Sequence, residues 1–285
     1  MNGKQSNSIS VVMTAYNAEK NIAEAIESVL HQSLSDFEFI IVNDGSTDST
    51  RSIITSFNDN RIHLIDNERD YVKSLNLGLK YATGKYIARM EADIICHVDR
   101  FKIQHSFMEE HPEVTICNGL VNLFGKNIPH ELLESQKSGI IENPLIDFLS
   151  PDFVVYPATF IRNSFIKKHD ILYEDYAYAE ELQFWAKVGI LNGLFFIDSQ
   201  PFVHKRITDS QPKMKLSPAM FESAFLVKKE LLNAFCNKYY EKYPSILSLC
   251  ESFYNASKER LVSMNEVFKI VYDILNRNRD AFKES

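Results

Sequence analysis

The sequence predicts an α/β fold: a mostly parallel sheet flanked by helices, with a helical C-terminal extension. Over the first 120 residues, short apolar runs alternate with helically spaced apolar positions. Each apolar run ends in a polar, turn-forming cluster, and beyond Pro218 the apolar spacing is helical. Repeated strand–helix units imply parallel strands joined by right-handed crossovers.

The elements follow in order. Residues 10–14 (SVVMT) suit a short buried parallel strand. Residues 21–32 carry Ile22, Ala25, Ile26, Val29 and Leu30, a helical stripe. The second strand, 37–42 (FEFIIV), ends in Asn43-Asp44-Gly45, and Ser46, Thr47 and Asp48 offer N-cap oxygens to a helix carrying Ile53, Ile54 and Phe57. Residues 62–65 form a third strand. Val72, Leu75, Leu79 and Ala82 line a third helix, which Gly84 ends. Residues 86–90 form the fourth strand. After residue 120 the alternation breaks down. Residues 153–161 read as an interrupted strand bent at Pro157, and 180–188 as a helix with Leu182, Trp185 and Ala186 inward. In the tail, Phe221, Ala224, Phe225 and Phe235 share one stripe and Val267, Ile270, Val271 and Ile274 another, with Pro244 between them.

In a parallel sheet, ligands sit beyond the carboxyl ends of the strands. Those ends carry 14–17 (TAYN), 43–46 (NDGS), Asp66-Asn67 and Glu91-Ala92-Asp93. Alternate residues of a strand point to one side, so Glu91 and Asp93 can converge on one point. Two carboxylates that close need a cation or a shared proton between them. Paired oxygen ligands at an exposed strand end suit a hard divalent ion, and such an ion suits phosphate.

Composition narrows the classes. With 285 residues and 45% hydrophobic content the chain has ample material for a core. A net charge of −7 gives no general electrostatic case for a nucleic-acid partner. No apolar run is long enough to span a bilayer, and the first ten residues lack the apolar core of a signal peptide. Cys96, Cys117, Cys236 and Cys250 are scattered and read as reduced thiols with no zinc site. A soluble cytoplasmic protein is expected, with a peripheral contact at the inner face of the cell membrane left open. The segment TAYNAEKN has no glycine-rich loop, which argues against a dinucleotide-binding dehydrogenase or a sugar-phosphate nucleotidyltransferase.

Four segments, 11–33 (VVMTAYNAEKNIAEAIESVLHQS), 37–50 (FEFIIVNDGSTDST), 75–94 (LNLGLKYATGKYIARMEADI) and 179–185 (AEELQFW), carry a family resemblance. The chain resembles the inverting family 2 glycosyltransferases, whose GT-A fold is Rossmann-like. The match is specific over residues 8–110 and weaker beyond.

The resemblance implies a role for each matching residue. Thr14, Ala15 and Tyr16 would lie along the base and ribose of a nucleotide sugar, with Asn17 and Asp48 as secondary contacts. Asp44 would accept from the uracil N3–H of a UDP-linked donor, a role an acceptor-only carboxylate can fill. The helix starting near Asn21 would face the diphosphate with its N-terminus. Glu91, Ala92 and Asp93 resemble the family's DxD motif, so Asp93 would hold Mn²⁺ or Mg²⁺ while Glu91 reaches the metal or the ribose and Ala92 lies against the nucleotide. Glu181 stands where the family places its catalytic base, with Glu180, Glu174 and Asp175 as rivals. The acceptor would be a glycan or a lipid-linked saccharide, in a setting such as bacterial polysaccharide assembly.

This chain departs from the family pattern in places. Glu91 replaces an Asp, Ile94 follows the pair where an Asp is usual, and Glu181 replaces an Asp. Asp70 stands where many members have Gly, and Thr208 replaces the His of an R-x-H motif, with His204 nearby in another register. His97 reads as a loop residue. Arg100 and Gln104 match the helix that anchors the metal loop, and 157–159 a stretch that usually faces the acceptor. The replacements leave a non-catalytic nucleotide-sugar or glycan-binding module as the alternative. The expected organisation is a nucleotide-sugar-binding half at 1–120, an acceptor-side half at 121–212 and a helical extension at 213–285.

Overall fold

The computed structural model describes residues 8–125, 128–133, 138–150, 157–207, 218–239, 241, 244–258 and 264–282. In chain order its elements are β1 (Ile9–Ala15), α1 (Ile22–Leu30), β2 (Phe37–Asp44), α2 (Thr50–Ser56), β3 (Ile62–Asn67), α3 (Tyr71–Tyr81), β4 (Tyr86–Glu91), β5 (Ile94–Cys96), α4 (Arg100–Glu110), β6 (Val114–Gly125), β7 (Ile128–Leu133), β8 (Gly139–Ile141), α5 (Pro144–Asp147), β9 (Phe160–Arg162), α6 (Asn163–His169), α7 (Glu180–Ile190), β10 (Leu194–Ile207), α8 (Pro218–Tyr239), α9 (Pro244–Lys258) and α10 (Met264–Arg277), then a 3₁₀ turn at Arg279–Phe282.

Two compact units divide the chain. The first comprises Met1–Ile140, Tyr156–Tyr173 and Phe195–Met214; the second comprises Ile141–Val155, Glu174–Leu194 and Lys215–Ser285.

The first unit is built on a mixed sheet of order β3-β2-β1-β4-β9-β6-β10-β5. The β1/β2, β2/β3 and β1/β4 pairs are parallel, as the strand–helix alternation predicts. The β4/β9, β6/β9 and β10/β5 pairs are antiparallel. Every residue of β1 and β2 is buried, as expected of central strands covered on both faces.

Burial extends to a polar pair at the amino ends of these strands. Glu38 accepts from the Ser10 hydroxyl at 2.6 Å and from the Thr83 amide and hydroxyl, each at 2.8 Å. Burial disfavours its charge, but these hydrogen bonds win and hold its carboxyl below the usual range. Gly84 lies against the same strand. A Cβ there would stand 2.6 Å from the Ser10 nitrogen, so close approach to β1 explains this glycine. The third helix instead ends at Tyr81, with Ala82 extended as its C-cap.

The second unit is helical. Val227, Leu231, Leu232, Phe235, Cys236 and Tyr239 form the buried stripe of α8. Of the expected tail stripes, Phe235, Val267 and Val271 are buried, whereas Ala224 and Phe225 are half-buried. The side chain of Phe221 lies outside the described residues. Phe282 packs on Phe235 and Tyr239, and Arg279 pairs with the buried Asp147 of α5. Among the described residues, no helix is long and apolar enough to cross a membrane.

Candidate active site

Strand register assembles the site's first edge. Thr14 is paired with both Val42 and Glu91, Ala15 with Asn43, and Asp44 with Asn67. The carboxyl ends of four parallel strands therefore lie side by side, and the polar clusters expected there share one edge of the sheet.

Asp44 lies at one corner and is 1% exposed. Its Oδ1 accepts from the Asp70 amide at 2.8 Å and the Ser74 hydroxyl at 2.9 Å, and its Oδ2 pairs with Arg69 Nη1. Arg69 also stacks on Tyr16, its guanidinium carbon 3.7 Å from the ring centroid. Gly45 permits this approach. Its φ is +70°, and a Cβ would stand 2.9 Å from the Arg69 nitrogen. Asp70, where many family members have Gly, N-caps α3 by accepting from the Lys73 amide at 2.9 Å.

Asn17 and Asp48 lace two loops together. Asn17, in the left-handed region at φ 44°, accepts from the Thr47 amide at 2.9 Å. Asp48 accepts from the amides of Thr50 and Glu19 at 2.9 and 3.2 Å. Ser49 is the N-cap of α2, so of the three oxygens expected to cap it, only the Asp48 carboxylate reaches its first-turn amide.

Glu91 ends β4, Ala92 is buried, and Asp93 occupies the turn into β5. Lys205 Nζ lies 2.7 Å from Glu91 Oε2. Burial opposes the Glu91 charge, but the ammonium outweighs it and holds the carboxyl below its ordinary range. Burial likewise opposes the Lys205 charge, and Glu91 and Asp93 together more than offset it. His204 belongs to the opposite face of β10 from Lys205, with its Nδ1 3.5 Å from Asn122 Nδ2. Thr208 lies outside the described residues.

A fully buried arginine anchors this corner from beneath. Arg100 donates to the carbonyls of Arg89 at 3.0 Å and Thr159 at 3.2 Å and to Gln104 Oε1 at 2.9 Å. Gln104 in turn donates to the carbonyls of Ala158 and Cys117. Ala158 and Thr159 are themselves buried, leaving Pro157 as the partly exposed member of that stretch. His97 is a loop residue whose Nδ1 accepts from the Asp99 amide at 3.2 Å.

The donor set at the end of β4 has the chemistry of a hard-cation site. Glu91 and Asp93 supply carboxylate oxygens, the ligand type that Mg²⁺ and Mn²⁺ prefer. Among the described residues, no group of three or more His, Cys, Asp or Glu side chains could hold a metal. Oxygens of a bound phosphate would have to complete the shell.

In the second unit, Glu180 and Glu181 open α7, where acidic side chains complement the helix dipole. Glu180 accepts from the Tyr178 amide at 3.2 Å. Burial, then the nearby charges of Asp175 and Glu181, push its carboxyl pKa up. Glu174 pairs with Lys187.

The family model of Glycosyl transferase family 2 matches residues 10–168, more than half of the chain. The chain belongs to this family. An uncharacterised glycosyltransferase of Haemophilus influenzae is 30% identical over 245 residues, covering 81% of this chain and 75% of that protein. The UDP-Glc:α-D-GlcNAc-diphosphoundecaprenol β-1,3-glucosyltransferase WfgD of Escherichia coli is 38% identical over 35% of this chain, and the match spans only 40% of that protein. S. aureus TarS 1–349, solved in complex with UDP-GlcNAc, superposes with a TM-score of 0.63 at 19% identity, over 96% of this chain and 81% of that one. At that identity the likeness is one of fold, and the fold is of the GT-A type.

Three residues of the glycosyltransferase's sheet edge escaped sequence reasoning: Arg69, Ser74 and Lys205. Arg69 was detectable in principle, as a lone cation one residue before a helix cap. Lys205 was not, because only the pairing of β10 with β5 brings it to Glu91.

Proposed function

We propose that this glycosyltransferase moves a sugar from a UDP-linked donor to a hydroxyl of a glycan or lipid-linked saccharide, inverting the anomeric centre with a divalent metal. The observation that carries the reading is the shared edge of β1, β2 and β4, with the Asp44–Arg69–Tyr16 cluster at one corner and Glu91–Asp93 at the other. An acceptor-only carboxylate beside an exposed aromatic ring suits a planar base with an N–H edge. Asp93 would hold Mn²⁺ or Mg²⁺. When bound, the ion neutralises charge on the departing nucleoside diphosphate.

The chain's own residues do the rest. Thr14, Ala15, Tyr16, Asn17 and Ala92 line the nucleotide. Glu181 takes the proton of the acceptor hydroxyl. The hydroxyl oxygen bonds to the anomeric carbon as the bond to the diphosphate oxygen breaks, and the diphosphate leaves with the electron pair. Attack from the face opposite the leaving group inverts the centre. The acceptor named for the E. coli relative is a GlcNAc carried on diphosphoundecaprenol, which supports a lipid-linked saccharide acceptor here and, with it, peripheral contact with a membrane.

A thermal-shift screen of UDP-glucose, UDP-GlcNAc and GDP-mannose, with and without Mn²⁺, tests the donor. A UDP sugar should stabilise the protein and Mn²⁺ should strengthen the effect. Proton NMR of the product then reads the anomeric configuration. No stabilisation by any UDP sugar refutes the donor assignment, and binding without turnover across an acceptor panel favours a non-catalytic module.

A further inference from the structure

Lys205 is placed by backbone rather than by a flexible reach. It pairs with Ile94 in the antiparallel β10/β5 ladder, and the next amide, that of Arg206, donates to the Asp93 carbonyl at 3.4 Å. The strand bearing Lys205 is thus stitched to the turn that carries Asp93. Alternation along β10 turns its neighbours away. Arg206 pairs with Glu24 and lies 4.8 Å from the centroid of the Phe124 ring, and His204 sits against Asn122. Of these three consecutive basic side chains, Lys205 is the one on Glu91, at 2.7 Å and with both partners about one-third exposed.

We propose that Lys205 is the resident counter-ion of the donor site: its ammonium holds Glu91 out of metal coordination, so that a divalent ion binds through Asp93 and the diphosphate and arrives with the nucleotide. The inference rests on the donor-site reading above and deepens it.

An ammonium already satisfying Glu91 removes one of two oxygen donors and half of the pair's negative charge. Either loss weakens the hold on a free divalent ion. A nucleoside diphosphate restores both charge and oxygens, so the ion is retained only when the donor is present. Glu91, the longer carboxylate where the family usually has Asp, is long enough to meet Lys205 and serves as its seat.

The test reads Mn²⁺ binding directly, from the electron paramagnetic resonance signal of the free ion. Nucleotide-free wild-type protein should bind Mn²⁺ weakly. Lys205→Met and Lys205→Gln should each tighten that binding on the order of tenfold, the scale on which partners of metal ligands act. Lys205→Arg should stay near wild type. Adding Glu91→Gln to Lys205→Met should cancel the gain, and Glu91→Gln alone, which leaves the ammonium beside Asp93 without its carboxylate partner, should weaken nucleotide-free Mn²⁺ binding further.

Unchanged or weaker Mn²⁺ binding in the neutral Lys205 variants, with UDP·Mn²⁺ binding intact, overturns the role of Lys205 alone. So does a gain that survives in the Glu91→Gln, Lys205→Met double variant, which would mean that the ammonium acts on the ion without holding Glu91. Wild-type protein that does not bind UDP with Mn²⁺ refutes the donor site itself, and this inference falls with it.

Discussion

The Arg69 guanidinium carbon lies 3.7 Å from the centroid of the Tyr16 ring, and the same guanidinium pairs with Asp44. Tyr16 is 43% exposed and Asp44 1% exposed, so one cation joins an open aromatic surface to a buried acceptor. Both carboxylate corners of the sheet edge thus hold a basic side chain: Arg69 on Asp44 and Lys205 on Glu91. Asp44→Asn presents an amide to donors that need an acceptor. It should cost about 2 kcal/mol of stability, the scale of a charge-assisted hydrogen bond, and weaken UDP binding on the order of tenfold, each 1.4 kcal/mol being one decade. Urea unfolding and calorimetry measure the two effects. Undiminished UDP affinity would remove Asp44 from the base site.

Arg100 is fully buried, and among the described residues it donates to carbonyls, to the Gln104 amide oxygen and to the sulfurs of Met90 and Cys96. Its fork joins the Arg89 carbonyl of β4 to the Thr159 carbonyl. A lysine has one nitrogen and cannot reproduce that fork. Arg100→Lys should therefore lose about 2–3 kcal/mol in urea unfolding, because it removes the charge-assisted donor to the Arg89 carbonyl and leaves the Thr159 carbonyl with the Arg89 amide alone of its two donors. A loss below half of that range would mean water or Gln104 replaces the fork.

The parallel half of the sheet was legible because its signals are local. In 10–14 and 37–42, apolar runs close on turn residues, and the clusters beyond them reach the sheet edge through a register that follows from the fold type. The antiparallel half was not. Strand β6 carries Thr115, Asn118, Gly119 and Asn122 inside its run, and β10 is broken in sequence by Asp198-Ser199-Gln200-Pro201, yet both hold as strands through pairing with distant partners. Asp198 bridges that break by accepting from the Gln200 amide at 2.9 Å. The 153–161 strand is limited to Phe160–Arg162 among the described residues. Asp70 was legible as a departure from a family pattern, but its capping of α3 needed the helix boundary.

Glu38 predicts the acid limb of stability. Its folded-state pKa lies below the ordinary glutamate value, because hydrogen bonds from Ser10 and Thr83 outweigh burial. A depressed carboxyl stabilises the fold fully above its unfolded pKa, and that contribution is lost as pH falls from there through the folded value. Glu38→Gln keeps an acceptor oxygen but cannot titrate. Thermal melts across pH 3 to 7 should show a smaller pH dependence below about 4.5 in the variant, with lower stability at neutral pH. Parallel curves would assign the acid sensitivity elsewhere.

Asp93 carries the metal expectation. Asp93→Ala should abolish the Mn²⁺ enhancement of UDP-sugar binding and lower transfer on the order of 10²-fold or more, the cost of losing a charge-stabilising group. The circular dichroism spectrum should not change, since Asp93 sits in a partly exposed turn. Full Mn²⁺-dependent activity in the variant would sink the metal assignment.

The base assignment is decided between adjacent carboxylates of α7. Glu181→Gln should spare UDP binding and lower transfer by about 10²–10⁴-fold, the range of a general base. Glu180 has a folded-state pKa raised first by burial and then by Asp175 and Glu181. A raised carboxyl favours the fold at low pH and costs stability as pH rises from its unfolded value through its folded one. Glu180→Gln should therefore raise the melting temperature at neutral pH, since glutamine keeps the acceptor for the Tyr178 amide. Glu181→Gln removes one of the charges on Glu180 and should let its pKa fall toward the ordinary range. If Glu180→Gln abolishes transfer while Glu181→Gln transfers normally, the base is Glu180. The acid limb of the pH–rate profile would then follow that raised carboxyl, with activity gained as pH rises through it.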